Sequence, residues 1–198
     1  MFGFLLLPLT MGAVIHYLET VKLTHTLILM ITIFVDCCNP ISQEIYDSII
    51  SSIQIHQLVC PCCHKAARMA FFGSYTRSVK QDGVLVELRV RRVICNECGS
   101  THALLLSGIV PYSRTLLQDQ ADIICGKSQT VMERNPLVDE SCVRSILRMF
   151  RKHWKQAVLS ASIPLHPLQH LVAGSFSFFS RQFMQIKRTP NILFLKST

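Results

Sequence analysis

The sequence predicts an α+β fold: a β-hairpin closed at its base by two cysteine pairs, then a helix-turn-helix-like run of helices. Three observations carry this expectation. Two Cys-x-x-Cys units are separated by thirty-one residues. The segment between them alternates with a period of two, as a half-buried strand does. From about Arg114 onward, apolar residues recur with helical spacing instead. These signals divide the chain into an apolar extension (1–29), a helix-containing segment (30–59), a ribbon (60–112), a helix-turn-helix-like region (113–160) and an aromatic, basic tail segment (161–198).

The front end is the least regular part. Phe2 to Leu18 carries no charged residue. It falls just short of the roughly 20 residues that span a bilayer, and it contains Pro8 and Gly12. A basic n-region and a small-residue cleavage site, the marks of a secretory signal, are not apparent. A membrane anchor, a buried helical extension and a translated stretch upstream of the true start compete. The last is favoured, because Met30 opens a segment that reads as the start of a soluble protein. Pro40 and Ser42 then introduce a helix in which Ile41, Ile45, Ile49, Ile53 and Leu58 mark the apolar face.

The strong signal follows in VCPCCHK at 59–65 and ICNECGS at 94–100. A Cys-x-x-Cys turn presents two thiolates to one tetrahedral ion, so Cys60, Cys63, Cys95 and Cys98 complete a closed four-sulfur site for one structural Zn²⁺. Gly99 supplies the permissive backbone that such a turn wants, whereas the matching place in the first pair is His64. Cys62 and His102 are the alternative ligands, and an iron–sulfur centre is the alternative occupant. Nine cysteines, an odd number without disulfide-like spacing, point to a reducing, cytoplasmic setting.

Between the pairs, Phe71 to Val79 and Val84 to Val90 form the two arms of the hairpin, with Asp82-Gly83 as its turn. Downstream, helices are expected from about Arg114 to Cys125, from Ser128 to Asn135, and from an Asp139 N-cap to about Leu159. On the last of these, Val143, Ile146, Leu147, Phe150, Trp154, Ala157 and Val158 make an apolar face. Arg144, Arg148, Arg151 and Lys155, extended by Lys152, make a basic stripe beside it. The third helix is therefore the expected recognition helix. Arg77, Arg89, Arg91 and Arg92 would give the ribbon its own phosphate contacts. In the tail segment, Phe176, Phe178, Phe179, Phe183 and Met184 are expected to pack on the preceding helices.

Charge agrees with a polyanionic partner. Residues 1–59 sum to −3, while the chain as a whole carries +8, so the entire excess lies downstream of Val59. DNA is the expected partner, and the same charge would attract RNA. A membrane is not expected, and a homo-oligomeric state is left open. Catalysis by a two-metal nuclease needs about three carboxylates. The last acidic residue is Glu140, and Asp119, Asp122, Glu133 and Asp139 fall within the expected helix-turn-helix. A binding protein is predicted, with a protein–protein adaptor or a membrane-anchored zinc protein as alternatives.

C-P-x-C at 60–63, G-S-Y-T-R at 73–77, LRVRRVIC at 88–95, THALL at 101–105 and VPYSR at 110–114 resemble an uncharacterised bacterial family of a domain of unknown function. Its members are often described as transposase-like. The resemblance extends through NPLVDESCVRSILRMFRKHWKQ at 135–156 and RQFMQIKRTPNILFL at 181–195. It implies a zinc ribbon followed by a helix-turn-helix, similar to the front end of transposases of mobile elements. By position, Cys60, Cys63, Cys95 and Cys98 match the expected metal ligands. His64 and Leu106-Ser107-Gly108 depart from the family pattern, and neither removes a ligand.

Overall fold

The alternation around Asp82-Gly83 builds the central feature, a long hairpin of β2 (Met69–Gln81) and β3 (Val84–Cys95). Both turn residues lie at positive φ, 48° for Asp82 and 76° for Gly83, which matches the right-handed twist of the flanking strands. Val79 pairs with Val86 and Arg77 with Leu88, so the buried side of one arm lies beside the buried side of the other. The pairing slips between Phe71 and Ser74, where Phe72 and Gly73 stand opposite Arg92 alone. This is a β-bulge.

In the computed structural model, which describes residues 30–35 and 40–186, the hairpin is half of a larger sheet. Two further strands, β1 (Met30–Ile33) and β4 (Thr101–Leu106), complete the order β1-β4-β3-β2. β4 runs antiparallel to β3, and β1 runs parallel to β4 from Met30↔Ala103 to Ile33↔Leu106. The MITI segment that reads as the opening of a soluble protein is thus a strand, and THALLL is the most deeply buried one. Leu104, Leu105 and Leu106 are fully buried. The apolar extension, Cys37, Cys38 and the last part of the tail segment (187–198) lie outside the described residues. Among the described residues no helix is long and apolar enough to cross a membrane.

α1 (Gln43–Ser52) starts where expected, with the Ser42 hydroxyl accepting from the Ile45 amide. Its buried positions differ from the isoleucine rhythm. Ile45 is exposed, whereas Tyr46 is completely buried. The reason is a backbone gap in the sheet. The β3–β4 ladder runs only from Ile94↔Thr101 to Arg92↔Ala103. Just beyond it, the Tyr46 hydroxyl donates to the Leu104 carbonyl and accepts from the Arg91 amide, each at 2.9 Å. Burial pushes the Tyr46 phenol up to about 12, so it stays neutral there.

The helical part begins later than predicted. Residues 114–116 are extended, with the Arg114 carbonyl accepting from the Lys80 amide, and α2 covers Leu117–Ile124. α3 (Ser128–Arg134) follows a tight turn at Gly126, and α4 (Glu140–His153) starts at Asp139, which caps the Cys142 amide. α4 does not continue to Leu159. The chain kinks at Trp154 and resumes as α5 (Lys155–Ser160). Trp154 is drawn into a core where Phe179 and Phe183 meet it edge-on at 5.7 and 5.3 Å. Those phenylalanines come from α6 (Leu168–Phe179) and the segment after it. Gly174 lets α6 approach Ile163, since a Cβ there would lie 3.1 Å from that side chain. Phe183 and Met184 are buried as expected of the aromatic cluster, but Phe178 is exposed.

Two apolar cores result. One joins β1, α1 and the ribbon, and the other joins α2 to α6. Buried amides link them. Asn135, fully buried, donates to Asp119 and the Lys80 carbonyl and accepts from the Gly83 amide. Gln182, also fully buried, donates to the carbonyls of Ser107 and Ile109. Replacing Asn135 with Ala would leave three polar groups short of a partner. A loss of about 2–3 kcal/mol follows. Thermal denaturation should show it as a fall in Tm of roughly 5–10 °C, and an unchanged Tm would contradict the linking role.

Candidate metal centre and basic helix

The hairpin returns the chain to its starting point, and this brings the two cysteine pairs together. The sulfurs of Cys60, Cys63, Cys95 and Cys98 all lie within 4.8 Å of one another. Cys60 faces Cys98, and Cys63 faces Cys95, each at 3.6 Å. A tetrahedral ion with metal–sulfur bonds of about 2.3 Å has sulfur–sulfur edges of about 3.8 Å, so the four thiols are positioned to hold one metal ion.

The two turns have the same internal geometry. The His64 amide donates to the Cys60 carbonyl and the Gly99 amide to the Cys95 carbonyl, both at 2.8 Å. The amides of Cys60 and Cys95 then donate to the carbonyls of Lys65 and Ser100. His64 takes φ of 59° and Gly99 φ of 71°. The departure at His64 therefore changes the residue without changing the turn. Around the sulfurs, the Cys62 amide points at Cys60 Sγ from 3.4 Å, and His102 Nε2 lies 3.5 Å from the same atom. His102 is buried and sits beside the sulfur set as a neighbour of a ligand. Cys62 is exposed and outside the cluster.

Burial pushes the Cys60 thiol up to about 12 and raises Cys63 as well. At Cys98 burial acts the same way, but hydrogen bonds with Ser100, Cys60 and Cys95 outweigh it and bring the thiol down to about 6. Burial therefore favours the thiol at Cys60 and Cys63, while hydrogen bonding favours ionisation at Cys98. A cation reverses that balance, because four thiolates this close repel one another until a positive charge sits among them. At the surface, Glu97 of the second turn pairs with Lys65 of the first.

The basic residues are distributed less simply. Arg144, Arg148, Arg151 and Lys152 are exposed on α4, and Ser141 and Ser145 lie on the same face. The opposite face, with Val143 and Ile146, is buried. Lys155 is exposed but belongs to α5, beyond the kink, so the expected stripe ends at Lys152. Arg77 is committed internally: it donates to the carbonyls of Val110 and Ser113 and holds the 110–113 loop against β2. Arg89 is exposed, and Arg91 and Arg92 each lie over a phenylalanine ring, Phe71 and Phe72, at 5.8 Å.

The carboxylates have structural partners. Arg134 binds Asp119 at 2.5 Å and Asp122 at 3.2 Å, between α2 and α3. Gln129 donates to Glu133, and Asp139 caps α4. Sequence reasoning missed Ser100, whose hydrogen bonds lower Cys98. It also missed Ser141 and Ser145. With Arg148 they fall at i, i+4 and i+7, so the spacing that revealed the arginines could have placed both serines on the same ridge.

Two measurements check the centre. Titration with cobalt(II) should give a thiolate charge-transfer band that saturates at one equivalent. Cys95→Ser should abolish it, and Cys62→Ser should leave it intact; a band that survives Cys95→Ser would remove Cys95 from the ligand set. Loading at pH 7 should also release protons from Cys60 and Cys63, whose thiols are raised. Apparent affinity should therefore strengthen as pH rises from about 6 to 8, and a flat profile would contradict this protonation pattern.

No curated protein and no solved structure matches the chain. Residues 60–146, from the first metal-site cysteine to the middle of α4, match the family described as a domain of unknown function (DUF6431).

Proposed function

We propose that the protein is a zinc-stabilised DNA-binding protein, similar to the N-terminal region of transposases. The observation that carries the reading is α4. Its cationic face is exposed while its other face is anchored in the second core. A helix held this way can enter a major groove and keep its arginines free for phosphates and base edges. Four clustered sulfur ligands suit zinc, and a closed site of four thiolates leaves no position for substrate water, so the ion's role is structural.

Arg148 and Arg151 make no ion pair among the described residues, whereas Arg144 pairs with Glu140 at 3.0 Å. The first two are therefore the cleaner probes. Fluorescence anisotropy on duplex DNA across a salt series should give a linear fall of log K with log salt. An Arg148→Ala/Arg151→Ala variant should reduce that slope by about 1.8, since each phosphate gripped by a side chain accounts for about 0.9 of it. An unchanged slope would move the phosphate-binding surface elsewhere. Absence of duplex binding at physiological salt would favour a zinc-stabilised adaptor.

A further inference from the structure

The hairpin carries a second surface that the α4 reading does not use. Phe71, Phe72 and Tyr75 are 51%, 48% and 36% exposed on β2, an edge strand. Exposed aromatic rings on a free strand edge invite aggregation, so their presence calls for a reason. Here each phenylalanine is matched with an arginine from the neighbouring strand, Arg91 over Phe71 and Arg92 over Phe72. The bulge sets Phe72 on the side of Arg92, while Phe71 shares the other side with Arg91, so the two ring–arginine pairs flank the free edge of β2 and a single strand passing over that edge meets both. Arg92 Nε is buried without a hydrogen-bond partner among the described residues.

We infer that this end of the hairpin binds single-stranded nucleic acid, with unpaired bases stacking on Phe71 and Phe72 while Arg91 and Arg92 hold the adjoining phosphates. The charge selects a polyanion, and the aromatic rings select one that can offer a π-face. Duplex DNA hides its base faces inside the stack, whereas a single strand presents them to any exposed ring. Guanidinium groups resting on the rings can remain as cationic neighbours of a stacked base. The surface shares only its class of partner with α4, and its residues are different.

The test uses the full-length, metal-loaded protein and three fluorescent probes: a dT 15-mer, an abasic deoxyribose-phosphate 15-mer of the same charge, and a 15-base-pair duplex. The wild-type protein should bind the dT probe at least about tenfold more tightly than the abasic one, since each stacked base contributes that order of affinity. Phe71→Ala/Phe72→Ala should remove that preference and change duplex binding by less than about twofold. Phe71→Trp/Phe72→Trp should retain it. Arg148→Ala/Arg151→Ala should weaken duplex binding and leave the preference, so the two surfaces fail separately. Equal wild-type affinity for dT and abasic probes would overturn the inference without recourse to any variant. So would a dT preference that survives the alanine pair. Concentration-dependent self-association that disappears in the alanine pair, with no dT preference, would assign the surface to a second copy of the chain instead.

Discussion

Four sulfurs within 4.8 Å of one another cannot all be thiolates unless a cation sits among them. That constraint organises the first half of the molecule. The ligands come in pairs at the two ends of a hairpin, so a bound ion fixes the base of the ribbon and with it the register of β2 on β3. β4 begins at Thr101, three residues after Cys98, and its burial depends on the direction in which the second turn releases the chain. A metal ion held here would contribute to folding as well as to local shape, with a magnitude on the order of 10 kcal/mol for closed structural sites.

The far end of the same hairpin reaches the other half. Gly83 of the turn and Lys80 beside it are both held by Asn135, and the Lys80 ammonium donates to the Leu137 carbonyl. Leu137 lies in the short link between α3 and α4. A rigid two-stranded element therefore runs from the sulfur cluster to the entrance of the basic helix. The buried amides of Asn135 and Gln182 are costly to bury unpaired and leave little freedom in how the two cores meet. This is why an exposed helix face at α4 has a defined orientation relative to the sheet.

Much of this was legible in the sequence because its signals were local. Cysteine spacing, period-two alternation and Asp82-Gly83 specify a hairpin within thirty-six residues, from Cys60 to Cys95. Asp139 and Ser42 announce helix starts through hydrogen bonds to amides three residues ahead. What the sequence concealed was non-local. MITI becomes a strand only because Leu104 and its neighbours offer an edge, and Tyr46 displaces Ile45 from the core because a gap in the β3–β4 ladder needs its hydroxyl. Trp154 stops a helix that its own spacing would continue, since Phe179 and Phe183 reach it from far downstream. Arg77 looked like a free cation for the same reason: the carbonyls that hold it lie 33 and 36 positions away in the chain.

The kink at Trp154 also sets the useful length of the basic helix. From Arg144 to Lys152 the helix rises about 12 Å at 1.5 Å per residue, a little over two turns. Beyond Lys152 the chain turns into the second core and no longer extends the same face. The stripe's N-terminal half mixes serines with arginines. The exposed residues of its C-terminal half, Arg148, Arg151 and Lys152, are all cationic. A continuous stripe to Lys155 would have gained one charge, but it would draw Trp154 away from Phe179 and Phe183.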